Sequence, residues 1–221
     1  MKSVMVVAPH ADDETLGCGG ALARLAGEGA AVHWVLMTRM TAAQGFTAAR
    51  MRAREREIAA VARVLGIRSV RRLGFPAAGL DAVPLSEVVR RLGKEVAAAR
   101  PGLLFVPGAA DAHSDHRVAF AAAAACAKPF RSPWLKRVLM YETLSETDAA
   151  LGPGTGSRPT SWCDVTETFE RKLQALRLWG AELGEHPFPR SLESARALAV
   201  LRGAQSGCRY AEAFEVLRER W

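Results

Sequence analysis

Residues 3 to 20 read Ser-Val-Met-Val-Val-Ala-Pro-His-Ala-Asp-Asp-Glu-Thr-Leu-Gly-Cys-Gly-Gly. Val4 to Ala8 is an apolar, β-branched run closed by Pro9, which predicts a buried parallel strand, and Glu14 to Gly20 turns into the small-residue start of a helix. The polar residues between them therefore fall at the strand's C-terminal end, where open parallel α/β sheets bind ligands. One imidazole and three carboxylates stand there within five positions: His10, Asp12, Asp13 and Glu14. So much uncompensated acid in one turn calls for a cation. A second cluster, His113-Ser114-Asp115-His116, follows the apolar run Leu103 to Val106, so it too sits where a strand gives way to a helix, and the two clusters can meet across one sheet edge.

Outward from these two turns, strand and helix patterns alternate. Helices are expected over Thr15–Gly27, Arg50–Leu65, Leu85–Ala99 with Pro84 in the first turn, and Arg117–Ala127; strands over Ala31–Thr38, Ser69–Phe75, Leu103–Val106 and Val138–Tyr141. The segments Arg39 to Ala48 and Gly108 to His116 are expected as loops at the ligand-binding edge. Further on, residues 149–159 hold Gly and Pro enough for a loop, Ser161 to Val165 predicts a last strand, and Thr166 caps a helix reaching Leu183. Ser191 caps a final helix to about Gln205, and Gly207 opens a tail. The alternation predicts an α/β fold, a doubly wound and mostly parallel sheet with helices on both faces.

With 221 residues, 49% of them hydrophobic, and no shift in composition along the chain, one domain over residues 1–221 is expected. No apolar stretch approaches the roughly 20 residues of a membrane span, and the N-terminus lacks a signal-peptide layout. A cytoplasmic protein is the expectation. Cys18, Cys126, Cys163 and Cys208 lack C-x-x-C spacing, which fits reduced thiols better than a disulfide framework or a thiolate metal site. The net charge of +7 invites a nucleic-acid reading, but the arginines are dispersed along helical segments with glutamates among them, and only 7% of residues are aromatic. No nucleic-acid partner is expected, and a homo-oligomer is left open.

Catalytic zinc sites use imidazole and carboxylate, three protein ligands and one open position. His10, Asp13 and His116 make such a set. Asp12 is then placed as general base for a metal-activated water, His113 as donor to an oxyanion, and Asp115 as the carboxylate orienting a neighbouring histidine, with Glu14 supporting the same shell. Spacing alone does not say which of Asp12 and Asp13 binds the metal. Of the chain's five histidines, His33 lies in a strand pattern and reads as structural, and His186 gives no signal.

Pro9-His-Ala-Asp-Asp-Glu14 together with His113-Ser-Asp-His116 resembles the paired signature of the LmbE-like, PIG-L-type metal-dependent N-acetylglucosaminyl deacetylases, with Ala11 and Ser114 where that family usually has proline. The resemblance extends to Arg54 and Glu57, matching an Arg-x-x-Glu helix that the family places beside the site, and to Arg202-Gly203 with Tyr210-Ala-Glu-Ala-Phe214, similar to a segment of many bacterial members. It implies a Rossmann-like sheet, ligands His10, Asp13 and His116, base Asp12, oxyanion donor His113, and Zn²⁺, with Fe²⁺ as the other candidate. The substrate it implies is an N-acetylated sugar or glycoconjugate. Two departures leave the sugar open: Trp179-Gly-Ala-Glu182 where the family often has His or Tyr followed by Ser-Gln, and Thr41-Ala-Ala-Gln-Gly45 in place of a Gly-Glu pair. Arg39, leading into that second segment, is a planar donor fork for substrate oxygens. A non-catalytic Rossmann-type binding module is the runner-up, although the first turn lacks G-x-G-x-x-G. An acid-rich Mg²⁺ phosphatase is a third reading, which two histidines in the expected shell oppose.

Overall fold

The computed structural model describes residues 2–153 and 155–221. Among the described residues, seven strands form one sheet in the order β3-β2-β1-β4-β5-β7-β6. They are β1 (Ser3–Ala8), β2 (Ala31–Arg39), β3 (Ser69–Pro76), β4 (Leu103–Val106), β5 (Arg137–Tyr141), β6 (Ser161–Asp164) and β7 (Ala211–Glu219). β1 to β5 pair in parallel, whereas β7 runs antiparallel between β5 and β6. The α-helices of the described residues are α1 (Asp13–Gly27), α2 (Ala48–Leu65), α3 (Leu85–Ala99), α4 (Ser114–Cys126), α5 (Phe169–Leu178) and α6 (Leu192–Ser206).

The helices lie on both faces of the sheet. Val4, Val6 and Ala8 of β1 face a layer built from α1, α2, α5 and α6, with Trp34 and Trp179 fully buried in it; Met5 and Val7 face the layer of α3 and α4. Burial on both faces is why β1 reads as a continuous apolar run and not as an alternation. Since β2 and β3 extend the sheet on one side of β1 and β4 on the other, the strand order reverses between β1 and β4. That reversal opens the crevice in which doubly wound proteins bind ligands.

Three expectations are corrected. The first and fourth helices begin earlier than predicted, because the Asp12 carbonyl accepts from Thr15 and Leu16 N–H at 2.9 and 2.8 Å, and because His113 caps α4 with its own ring. The fifth helix is shorter, Phe169–Leu178. The tail after Gly207 instead enters the sheet as β7: Phe214 packs on Phe105 with ring centroids 5.1 Å apart, and Glu212 accepts from the Gly20 and Ala21 N–H groups at 2.9 and 2.7 Å. Those two amides need a partner because α1 is broken at Cys18 (φ −147). Lys172 neutralises Glu212 across 2.6 Å, both side chains being buried. Gly17 is required where α1 crosses β5, since a Cβ there would stand 2.3 Å from the Tyr141 ring.

Candidate metal centre and active site

The turns after β1 and β4 meet at the crevice. His10 Nδ1 and His116 Nε2 lie 3.4 and 3.3 Å from the same oxygen, Asp13 Oδ2. The other nitrogen of each ring is committed elsewhere. His10 Nε2 stands 3.0 Å from Asp115 Oδ2, and His116 Nδ1 stands 2.8 Å from Asp111 Oδ2. A carboxylate accepts a hydrogen bond from the outer N–H of each ring, so in the neutral rings the inner lone pairs converge beside the Asp13 carboxylate. His116 Nε2 is fully buried and has no hydrogen-bond partner among the described residues. An orphaned buried imidazole nitrogen facing a carboxylate and a second imidazole is the donor arrangement of a metal-binding position. The set of two nitrogens and one oxygen, all within 4.8 Å of one another, fits zinc or Fe²⁺ and does not fit Mg²⁺.

A second grouping, His10, His113 and Asp115, is equally compact, but its donors are already engaged. Asp115 accepts from Ala78 and Leu80 N–H at 2.8 and 2.9 Å besides orienting His10, and His113 Nδ1 accepts from Asp115 N–H at 3.0 Å. That last bond fixes the neutral His113 tautomer with its proton on Nε2, as a donor. Burial lowers the His113 pKa, and the neighbouring His10 lowers it further.

The charge balance favours a cation. Burial alone would lower the His10 and His116 imidazoles; the carboxylates around them prevail and raise them to about 9 and about 10. Asp13 is held well below the usual carboxylate range by His116 and His10 in spite of its burial. Burial and the adjacent Asp13 push Asp12 up to about 7, against the opposing pull of Arg190. Glu14, raised to about 8 by burial, accepts from the Thr15 hydroxyl and, at 3.2 Å, from Asp12 N–H. It shapes the turn from behind. The turn is strained: Asp12 has φ 148, in the region that L-residues rarely adopt.

A cavity of about 680 Å³ opens over these groups. His10, Asp12 and His113 floor it, Arg39, Met40 and Phe46 form a wall, and Arg190, Glu146 and Glu182 close the far side. Arg39 ends β2 and is exposed. Arg54, buried on α2, also lines the cavity, donates to the Ala11 carbonyl at 2.8 Å, pairs with Glu182 and lies 5.2 Å over the Trp179 ring. Glu57 stands one turn further along α2, bound to Arg50 at 2.7 Å and facing Arg54 Nε at 3.3 Å. Among the described residues it does not line the cavity.

Four site residues had no sequence signal of their own. Asp111, 1% exposed, is held by Thr147 Oγ1 and Gly108 N–H at 2.8 and 3.1 Å, and a carboxylate five residues before His116 in the expected loop was the available hint. Glu146 and Arg190 lie in irregular segments without periodicity. Glu182 falls in the segment that departs from the resembled family.

The profile of the family described as GlcNAc-PI de-N-acetylase, PIG-L, matches residues 5–127, which spans both clusters. A diacetylchitobiose deacetylase of Thermococcus kodakarensis is 27% identical over 96% of this chain and 82% of its own length. Among solved structures, a conserved protein of Thermus thermophilus superposes with a TM-score of 0.79 at 27% identity, covering 100% of this chain and 97% of that one. The 4-carboxy-2-hydroxymuconate hydratase of Pseudomonas putida KT2440 shares the fold at a TM-score of 0.76 and 22% identity, over 100% and 98% of the two chains. One fold thus carries more than one reaction, and the site must decide. With a metal-ready His-Asp-His cluster at the strand reversal and the family profile across more than half its length, the chain belongs to the PIG-L de-N-acetylase family.

Proposed function

We propose that the protein is a zinc-dependent hydrolase that removes an N-acetyl group from an amino sugar or an amino-sugar-bearing metabolite, with His10, Asp13 and His116 as ligands. The observation that carries this reading is the orphaned His116 Nε2, buried opposite Asp13 Oδ2 with Asp12 next in sequence and a cavity above. Bound at these three side chains, zinc would supply a Lewis acid for the amide carbonyl and lower the pKa of water to about 7. Asp12 takes a proton from the attacking water. Its Oδ2 is held by Arg190 at 3.0 Å, and Oδ1, which makes no hydrogen bond among the described residues, receives the proton. His113, capped through Nδ1, donates from Nε2 to the oxygen that gains charge as the carbonyl becomes tetrahedral. The C–N bond then breaks, the proton on Asp12 passes to the departing nitrogen, and acetate and a free amine result.

Arg39 is assigned to the sugar side, where it meets hydroxyl or anionic oxygens at the cavity wall. The four free thiols support the cytoplasmic placement. A panel of N-acetylated amino sugars and their conjugates, scored by free amine released and paired with metal analysis, tests the reading. Amine release with stoichiometric zinc or iron supports it; a metal-free protein that releases none contradicts it.

A further inference from the structure

Arg190 reaches the floor of the cavity from the opposite end of the chain, and all three of its guanidinium nitrogens are engaged. Nη1 donates to Asp12 Oδ2 at 3.0 Å, Nη2 to Glu146 Oε1 at 3.1 Å, and Nε to Ser145 Oγ at 2.7 Å. Its backbone is pinned as well. The Arg190 carbonyl accepts from Gly184 N–H at 3.3 Å, and the next residue, Ser191, caps α6 by accepting from Ser194 N–H at 3.0 Å. A side chain anchored in this way presents a fixed plane of donors.

Asp12 has need of such a plane. Its backbone is in a strained turn, its carboxylate must point away from the three ligands, and a base misplaced by about 1 Å loses roughly 10²-fold in rate. We infer that Arg190 is the positioning residue of the general base: with Glu146 and Ser145 as its own supports, it fixes Asp12 Oδ2 so that Oδ1 faces the water. This rests on the deacetylase reading above. It assigns a task to the segment between α5 and α6, which lies beyond the span matched by the family profile. The nearest competing role is that Arg190 touches the substrate directly, since it also lines the cavity.

A double-mutant cycle separates the two roles, using the zinc-loaded full chain and whichever panel substrate the wild type deacetylates. Arg190→Ala is expected to lower kcat roughly 10²-fold with KM changed less than about twofold and zinc content unaltered. Arg190→Lys, which keeps a charge but cannot span three partners, should restore about a tenth of the lost rate or more. Introduced into Asp12→Asn, Arg190→Ala should change kcat by less than about threefold, because a positioning residue has nothing left to position. If Arg190→Ala does not fold, Arg190→Gln carries the same cycle. Losses that multiply in the double variant, a rise in KM in place of a fall in kcat, or parallel loss of zinc would each overturn the inference while leaving the deacetylase reading standing. A wild type that deacetylates no member of the panel contradicts that reading and takes this inference with it.

Discussion

The two sides of the cavity were assembled in different ways. The floor is local: His10, Asp12 and Asp13 come from one turn after β1, and Asp111, His113, Asp115 and His116 from one turn after β4. The far wall is not. Arg190 meets Asp12 across 178 positions, and Arg54 meets Glu182 across 128. Residues that act from one strand end share a sequence neighbourhood and can be recognised as a cluster, whereas residues delivered by separate elements are related only through the fold. The floor should therefore hold the chemistry and the wall should tune it.

The sharpest way to break that division is to remove a proposed ligand. His116→Ala deletes the orphaned nitrogen, and purified protein should contain little zinc and turn over at background, with the far wall intact. If zinc content stays near that of the wild type, the ligand set is elsewhere and the floor is misassigned.

A milder change probes the support of the same ligand. Asp111 fixes the His116 ring through Nδ1, so Asp111→Asn should weaken zinc affinity about 10–100-fold in a chelator competition, with most of the rate regained at saturating zinc. An unchanged affinity would mean that burial alone orients His116.

The smallest effect on activity should come from the most remote contact. Glu212 and Lys172 form a buried pair that satisfies the kinked α1, so Glu212→Ala should lower unfolding stability by about 3–5 kcal/mol in a denaturant titration while leaving kcat per zinc near the wild-type value. A fall in kcat per zinc without loss of stability would show that α1 transmits strain to Asp13, and would erase the distinction between floor and frame.

How much was legible follows the same line. β1 and β4, buried on both faces, announced themselves as continuous apolar runs, and the helices between strands by their spacing, as in Leu85, Val88, Leu92 and Val96 of α3. β7 did not, because Gly207 reads as a stop and the strand is defined only by its pairing with β5 and β6. Within the site, the positions of His10, Asp13 and His116 were legible, whereas their fixed tautomers were not, since these depend on Asp115 and on an unrecognised Asp111. Arg54 was picked out by resemblance, yet its burial against Trp179 and Ala11 emerges only from the packing of α2 on α5.

The central claim is that adjacent aspartates have different tasks, Asp13 on the metal and Asp12 on the proton. The most direct test is zinc stoichiometry and turnover measured side by side for Asp12→Asn and Asp13→Asn. Asp12→Asn should keep its zinc and lose about 10²–10⁴-fold in kcat, the usual loss for removal of a general base, while Asp13→Asn should lose zinc and activity together. Zinc retained by Asp13→Asn and lost from Asp12→Asn would reverse the two roles and contradict the account.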